Sequence, residues 1–201
     1  MDAINNTTID TAQFNELIKS RRSVFPKQFV PGKHIPDEII LQILENANWA
    51  PTHKFTEPWR FTVFSGEGLK KFAKFQASLY KKNAGDKFKE MQYEKLLATP
   101  LLASHIISIG MKRSIEIPIP EFEEIAAVSC AVQNIYLSTT AYGIGGYWTT
   151  GGATFDEEAK TFFGLGKADK LLGFFYLGYV ETPSVAGKRG AVEEKTVWVK
   201  G

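Results

Sequence analysis

Apolar positions recur at helical spacing early in the chain. In "DTAQFNELIKSRRS", Phe14, Leu17 and Ile18 share a face, which predicts a helix ending near the paired arginines. "IPDEIILQILENANWAP" carries the pattern more strongly. Ile39, Ile40, Ile43, Leu44 and Ala47 form one apolar face, Pro36 suits a first helical position, Asp37 and Glu38 suit the positive end of the helix dipole, and Pro51 stops the helix. In "WRFTVFS" the period changes to two with β-favouring residue types, so a strand is expected, and "APTHKFTEP" becomes a helix-to-strand loop. Residues 67 to 98 predict two amphipathic helices broken around Asn83 to Gly85, a cover over part of the molecule. "LLASHIISIG" reads as a buried strand, and a linker with Pro118 and Pro120 follows it.

"EFEEIAAVSCAVQNIYLSTTAYG" has acidic residues at its start, small and apolar residues throughout and Gly143 at its end. It predicts a long, largely buried central helix whose first carboxylates are helix-start charges. Thr154 and Glu157 have the spacing of a capping box opening the helix "FDEEAKTFF", and "KLLGFFYLGYV" reads as the last core strand. The tail beyond Glu181 is polar until "KTVWV", a strand-like end with no obvious partner in its own chain. Helices and strands mix without regular βαβ alternation, which favours an α+β fold with a small sheet sandwiched by helices. Without repeats or an internal linker, residues 1–201 read as a single domain, with 181–201 as a C-terminal extension.

Composition narrows the function classes. The chain has 201 residues, is 44% hydrophobic and 23% charged, and carries a formal charge of +2 with its basic residues evenly spread, so no nucleic-acid surface is expected. The single cysteine, Cys130, excludes an internal disulfide and fits a reducing cytoplasm; its mid-helix setting among small residues reads as a buried structural thiol. The N-terminal "MDAINNTTIDTAQFNELIKS" has no apolar run of the kind a signal peptide needs, and "LLGFFYLGYV" is half the ~20 residues that span a bilayer, so no membrane association is expected.

Protein nucleophiles and metal ligands are scarce in sequence. His34 falls in a linker and His105 at a strand start, neither with metal-ligand spacing to another candidate, so no metal site is expected. Arg21, Arg22 and Ser23 offer forked donors for an anionic oxygen, or simply a cationic helix end. "GKR", at Gly187 to Arg189, can complete the same clamp or sit in a solvated tail. "GIGGYWTTGG" has glycines that let backbone amides approach a flat ligand and hydroxyls on Thr149 and Thr150, or else it forms a tight turn. The spacing is not that of a dinucleotide fingerprint. An enzyme built this way has no protein residue of its own as the catalytic group and needs a bound cofactor.

Taken in order, "RRS", "WAPTHKFTEPWRF", the long small-residue helix running into "GIGGYWTTGG", "LLGFFYLGYV" and the "GKR" loop resemble the nitroreductase family of FMN-dependent oxidoreductases, in its shorter single-domain branch with an "AP-x-H" loop. The resemblance implies an α+β, nitroreductase-like fold with a central, mostly antiparallel sheet flanked by helices, and a homodimer with FMN at the subunit interface. It implies that Arg21, Arg22 and Ser23 grip the phosphate and ribityl chain, joined by Lys188 or Arg189. Trp49, Pro51 and His53 would line the flavin edge across the interface, and Trp148, Thr149, Thr150 and Gly151 would lie along the isoalloxazine; Trp59 is expected to pack at the strand start. The implied activity is ping-pong hydride transfer from NADH or NADPH to a small-molecule acceptor such as a nitroaromatic or quinone. The alternatives are a flavin-binding or regulatory protein with little turnover, or a dehalogenating or flavin-fragmenting enzyme of the same fold. Glu57 and Thr149 depart from the glutamine and arginine that many relatives carry there, lowering the positive charge expected near the ring.

Overall fold

The computed structural model describes residues 9–181 and 185–201. The first eight residues of the N-terminal stretch and residues 182–184 of the tail lie outside the described residues. Its elements are α1 (Thr11–Ser20), α2 (Asp37–Asn48), β1 (Trp59–Ser65), α3 (Glu67–Ala84), α4 (Glu90–Ala98), β2 (His105–Met111), α5 (Glu121–Ala141), β3 (Ile144–Thr149), α6 (Ala159–Phe162) and β4 (Lys170–Tyr179). The strands form one four-stranded antiparallel sheet in the order β1-β2-β4-β3. The architecture is α+β, with helices on both faces.

Alternation along the two central strands splits the core into two layers. Ile107, Ile109 and Met111 of β2, with Phe175 and Leu177 of β4, face α2 and α5 and meet Ile40, Ile43, Ala127, Val128, Ala131 and Ile135. Ile106, Phe174 and Tyr176 face the other way, onto Leu69 and Phe72 of α3 and Phe163 just beyond α6. With both faces covered, β2 is buried along its whole length, which explains a sequence without polar alternation. Trp59 is buried at the start of β1 and its Nε1 donates to Asn48 Oδ1 at 2.9 Å, the packing role expected of it. Gly85 ends α3 with φ 48°, a conformation that favours glycine and breaks the cover into its two helices.

Four local expectations are corrected. The segment "IGGYWT" is strand β3, and its glycines serve packing: a Cβ on Gly146 would lie 2.8 Å from the Phe175 ring, and one on Gly145 2.9 Å from Val180. The capping box does not form. Thr154 is held inside a 3-10 turn where its hydroxyl donates to Gly151 O, and α6 is a single turn preceded by an Asp156 side chain that accepts from Glu158 N–H at 2.8 Å. Glu124 is not a surface charge at a helix start; it is fully buried, ion-paired with Arg113, and accepts from Ser114 N–H at 2.8 Å. Cys130 is exposed, because α5 packs against α2, β2 and β3 and leaves one side free. That side carries Phe122, Ala126, Cys130 and Gln133 at helical spacing.

Candidate functional site

Helix α1 is capped by Asp10, whose side chain accepts from Ala12 N–H, and it ends where Arg21 leaves helical conformation. The chain then runs alongside the open edge of β3: Ser23 bridges Gly146 in parallel, and Val24 N–H donates to Gly146 O at 2.9 Å. This pairing fixes the direction of "RRS". Arg21 lies over the Tyr136 ring, 4.9 Å from its centroid, and Ser23 Oγ is 3.2 Å from the Tyr136 hydroxyl. The same hydroxyl accepts from Trp148 N–H at 2.8 Å. Tyr136, buried on α5, thereby ties the arginine segment to the end of β3.

The Arg22 guanidinium donates to Val185 O at 3.0 Å and to the Lys19 and Arg21 carbonyls, so the tail folds back onto α1. Gly187 sits against Arg22 so closely that a Cβ there would fall 2.4 Å from the guanidinium carbon. Lys19, Arg21, Arg22, Gly187 and Arg189 line one cleft of about 730 Å³. Among the described residues these cations have no carboxylate partner, and Glu16 is the one acid on the cleft wall. Unneutralised guanidinium groups beside backbone amides suit a phosphate. Lys188 is not part of this wall; its carbonyl accepts from Arg189.

A second cavity, about 470 Å³, begins three residues after Arg22. Its walls come from Phe25 and Lys27, from Lys95 and Thr99 at the end of the α3–α4 cover, and from Tyr147, Thr149 and Gly151 at the end of β3. The Thr149 carbonyl is drawn close to β4 by Gly173 (φ 124°), where any Cβ would lie 2.4 Å from it. Trp148 lines neither cavity: its indole packs on the core and donates to Leu172 O at 3.0 Å. Thr150 is exposed beside the cavity mouth. On the same wall, burial pushes the Tyr176 hydroxyl up to about 12, so it stays neutral. Gln76 projects into the same region with an Nε2 that has no partner. Phe25, Lys27, Lys95 and Thr99 escaped sequence reasoning because none belongs to a motif; tertiary packing alone brings them together.

The remaining expected residues lie elsewhere in this chain. In the α2–β1 loop, Trp49 and Pro51 are exposed, with Trp49 Nε1 donating to Glu45. The His53 Nδ1 is in hydrogen-bond contact with the Glu123 carboxylate at the start of α5. Tyr136, beside Arg21, is thirteen positions further along that helix, about 20 Å of axis. Within one chain the loop and the arginine cleft do not meet. The loop itself is strained: Lys54, Phe55 and Glu57 all have positive φ, at 52°, 53° and 42°. Such residues cost on the order of 1–3 kcal/mol each and cluster at functional sites. Thr52 holds the shape, accepting from Glu57 N–H at 3.2 Å.

Residues 18–179 match the Nitroreductase family. The chain belongs to that family. It is 32% identical over 142 residues to YdjA of Escherichia coli (strain K12), provisionally named an NAD(P)H nitroreductase, which spans 70% of this chain and 75% of that protein. In structure it resembles the nitroreductase-like family protein from Bacillus cereus, with a TM-score of 0.79 and 26% identity over 97% of this chain and 99% of that one. It also resembles the FMN-dependent nitroreductase NfnB from Mycobacterium smegmatis, solved in complex with NADPH: TM-score 0.74, 20% identity, 95% and 100% coverage. The nitroreductase fold expected from the motif order is therefore the observed one.

Proposed function

We propose that this nitroreductase-family chain is an FMN-dependent oxidoreductase that uses NADH or NADPH to reduce nitroaromatic, quinone or related small acceptors by a ping-pong scheme. The observation that carries the reading is the convergence of Arg21, Arg22 and Arg189 on one cleft, without a carboxylate partner among the described residues, next to a cavity walled by Phe25, Tyr147 and Thr149. FMN fits this pair of sites: its phosphate needs several cationic donors, and its ring needs a mostly apolar slot with a few hydrogen-bonding groups. The three residues from Arg22 to Phe25 span at most about 10 Å, so one segment contributes to both grips.

When bound, FMN supplies a ring able to accept hydride from a nicotinamide and pass electrons to a second substrate. The protein's own part is positioning. Arg21, Arg22 and Arg189 hold the phosphate, Ser23 and Tyr136 fix the strand that carries the arginines, and Thr149 to Gly151 border the ring. Lys27 and Lys95 place positive charge at the cavity wall, offsetting the arginine that Thr149 replaces.

The site is completed by a second copy of the chain. Phe122, Ala126, Cys130 and Gln133 form an exposed, mostly apolar stripe on α5, whose midpoint between Glu123 and Tyr136 falls at Cys130. Packing two such stripes antiparallel about a two-fold axis brings the His53 loop of one protomer to the Arg21 cleft of the other. Trp49, Pro51 and His53 then join the cofactor pocket, and the exposed Trp49 and Phe55 are covered. The domain 1–201 ends in an arm, 181–201, whose Val197, Trp198 and Val199 are 89%, 79% and 94% exposed and suit pairing with the partner's sheet.

The deciding experiment adds FMN to the protein, removes the excess and titrates anaerobically with NADH and NADPH. Retained flavin that bleaches, together with clearly weaker retention by R22A and R189A, is expected. A protein that retains no flavin rejects the reading, and retained flavin that neither nucleotide bleaches leaves a binding protein in place of an enzyme. Among the described residues no helix is long and apolar enough to cross a membrane.

A further inference from the structure

We infer that His34, Asp37 and His105 form a site for one divalent transition-metal ion, zinc by preference, which clamps the loop before α2 to the start of β2. The three ligand atoms lie within 4.8 Å of one another. His105 Nε2 is 3.0 Å from Asp37 Oδ1, and His34 Nε2 is 3.5 Å from the same oxygen. The sequence hides this group, because His34 and Asp37 are three positions apart at the entry to α2 while His105 is reached only through the sheet.

One ligand is already held in place. The His105 ring is buried, with Nδ1 2.9 Å from Ser104 Oγ, and that oxygen accepts from Ile35 N–H at 2.7 Å. With Nδ1–H donating to Ser104, Nε2 turns its lone pair towards Asp37 and is free to bind a metal. With the proton on Nε2, the ring donates to Asp37 and Ser104 donates to Nδ1, so metal binding displaces one proton from a ring already aimed at the site. The fixed contact between Nδ1 and Ser104 is the kind of second hydrogen bond that orients metal-bound histidines generally.

The dimensions suit zinc. Bonds of about 2.0–2.1 Å in a tetrahedron put neighbouring ligand atoms about 3.4 Å apart. Two of the three edges are near that value, and the third closes by rotation of the His34 ring, which is 58% exposed. Asp37 is also exposed, leaving room for water as the remaining ligand. Two imidazoles with one carboxylate favour zinc, nickel or copper over magnesium and calcium, which prefer all-oxygen shells. The positive end of α2 opposes the cation, so affinity is expected to be weaker than at a closed four-ligand zinc site. The clamp joins segments that lead to two walls of the second cavity, Phe25 to Lys27 on one side and Thr99 to Leu102 on the other.

The test uses the full chain after chelator treatment. Calorimetric titration with zinc should show one ion per chain and a zinc-dependent rise in melting temperature. H34A and D37N, both at exposed side chains, should remain folded and bind zinc about tenfold or more weakly, whereas H53A, at the other exposed histidine contact, should bind normally. Cobalt substitution should give visible bands that H34A lacks. Absence of zinc binding by the wild-type chain, or equal binding by H34A and D37N, would overturn the assignment. Loss in H53A alone would place the ion at the His53–Glu123 pair instead and equally reject it.

Discussion

At Tyr136 one hydroxyl serves two segments that are far apart in sequence, accepting from Trp148 N–H and meeting Ser23 Oγ. Removing it leaves a partly buried N–H without an acceptor, a change that costs about 1–3 kcal/mol. Y136F is therefore expected to lower the urea midpoint with an unchanged slope and to weaken flavin retention, while the Arg21 stacking surface survives. An unchanged midpoint would show that the hydroxyl only passes close to its neighbours. Arg22 differs in kind. Its donors are already shared among three carbonyls, so its replacement acts on the tail as well as on an anion, and R189A is the cleaner probe of charge alone.

Among the elements, α5 does most of the positioning. Its first turn holds three carboxylates that look equivalent in sequence, yet only Glu124 is buried against Arg113. Glu123 meets the half-exposed His53, and Glu121 lies 3.6 Å from Lys170 at the surface. Breaking a buried pair leaves a charge without a partner, so E124A is expected to cost about 3–5 kcal/mol. E121A should cost less than about 1 kcal/mol, since exposed pairs are screened. Urea unfolding of the two variants separates the cases, and equal losses would mean that the helix start matters and the pair does not. The cover of α3 and α4 was legible from amphipathic spacing. Strand β3 was not, since its glycines resemble a loop until Phe175 and Val180 are seen to occupy the space a side chain would take.

For the whole molecule, the proposed pairing of two copies is the decisive matter. If α5 packs antiparallel on its partner at Cys130, copper-catalysed air oxidation will join two chains by a disulfide through this single cysteine, and C130S will give no product. A wild-type chain that stays unlinked while running as a dimer would mean the stripe faces elsewhere. Deleting residues 191–201 keeps Arg189 and removes Val197 to Val199. It should weaken the dimer, seen as dissociation at lower dilution in analytical ultracentrifugation; a full-affinity dimer would reject the proposed arm.

Local pattern by itself determined α1 to α5, strands β1, β2 and β4, the α+β class and the order of motifs that points to the nitroreductase family. These follow from short-range spacing of apolar residues, which the chain carries whatever its tertiary neighbours. Tertiary structure alone decided which glycines pack and which border a cavity, which of three adjacent glutamates is buried, that Cys130 is exposed, and that His34 and His105 meet across Asp37. Each depends on what lies opposite a residue in space, and a linear pattern does not encode that distance. The same holds for the His53 loop, about 20 Å along α5 from the Tyr136 beside Arg21, a separation within one chain that the proposed two-fold pairing would close.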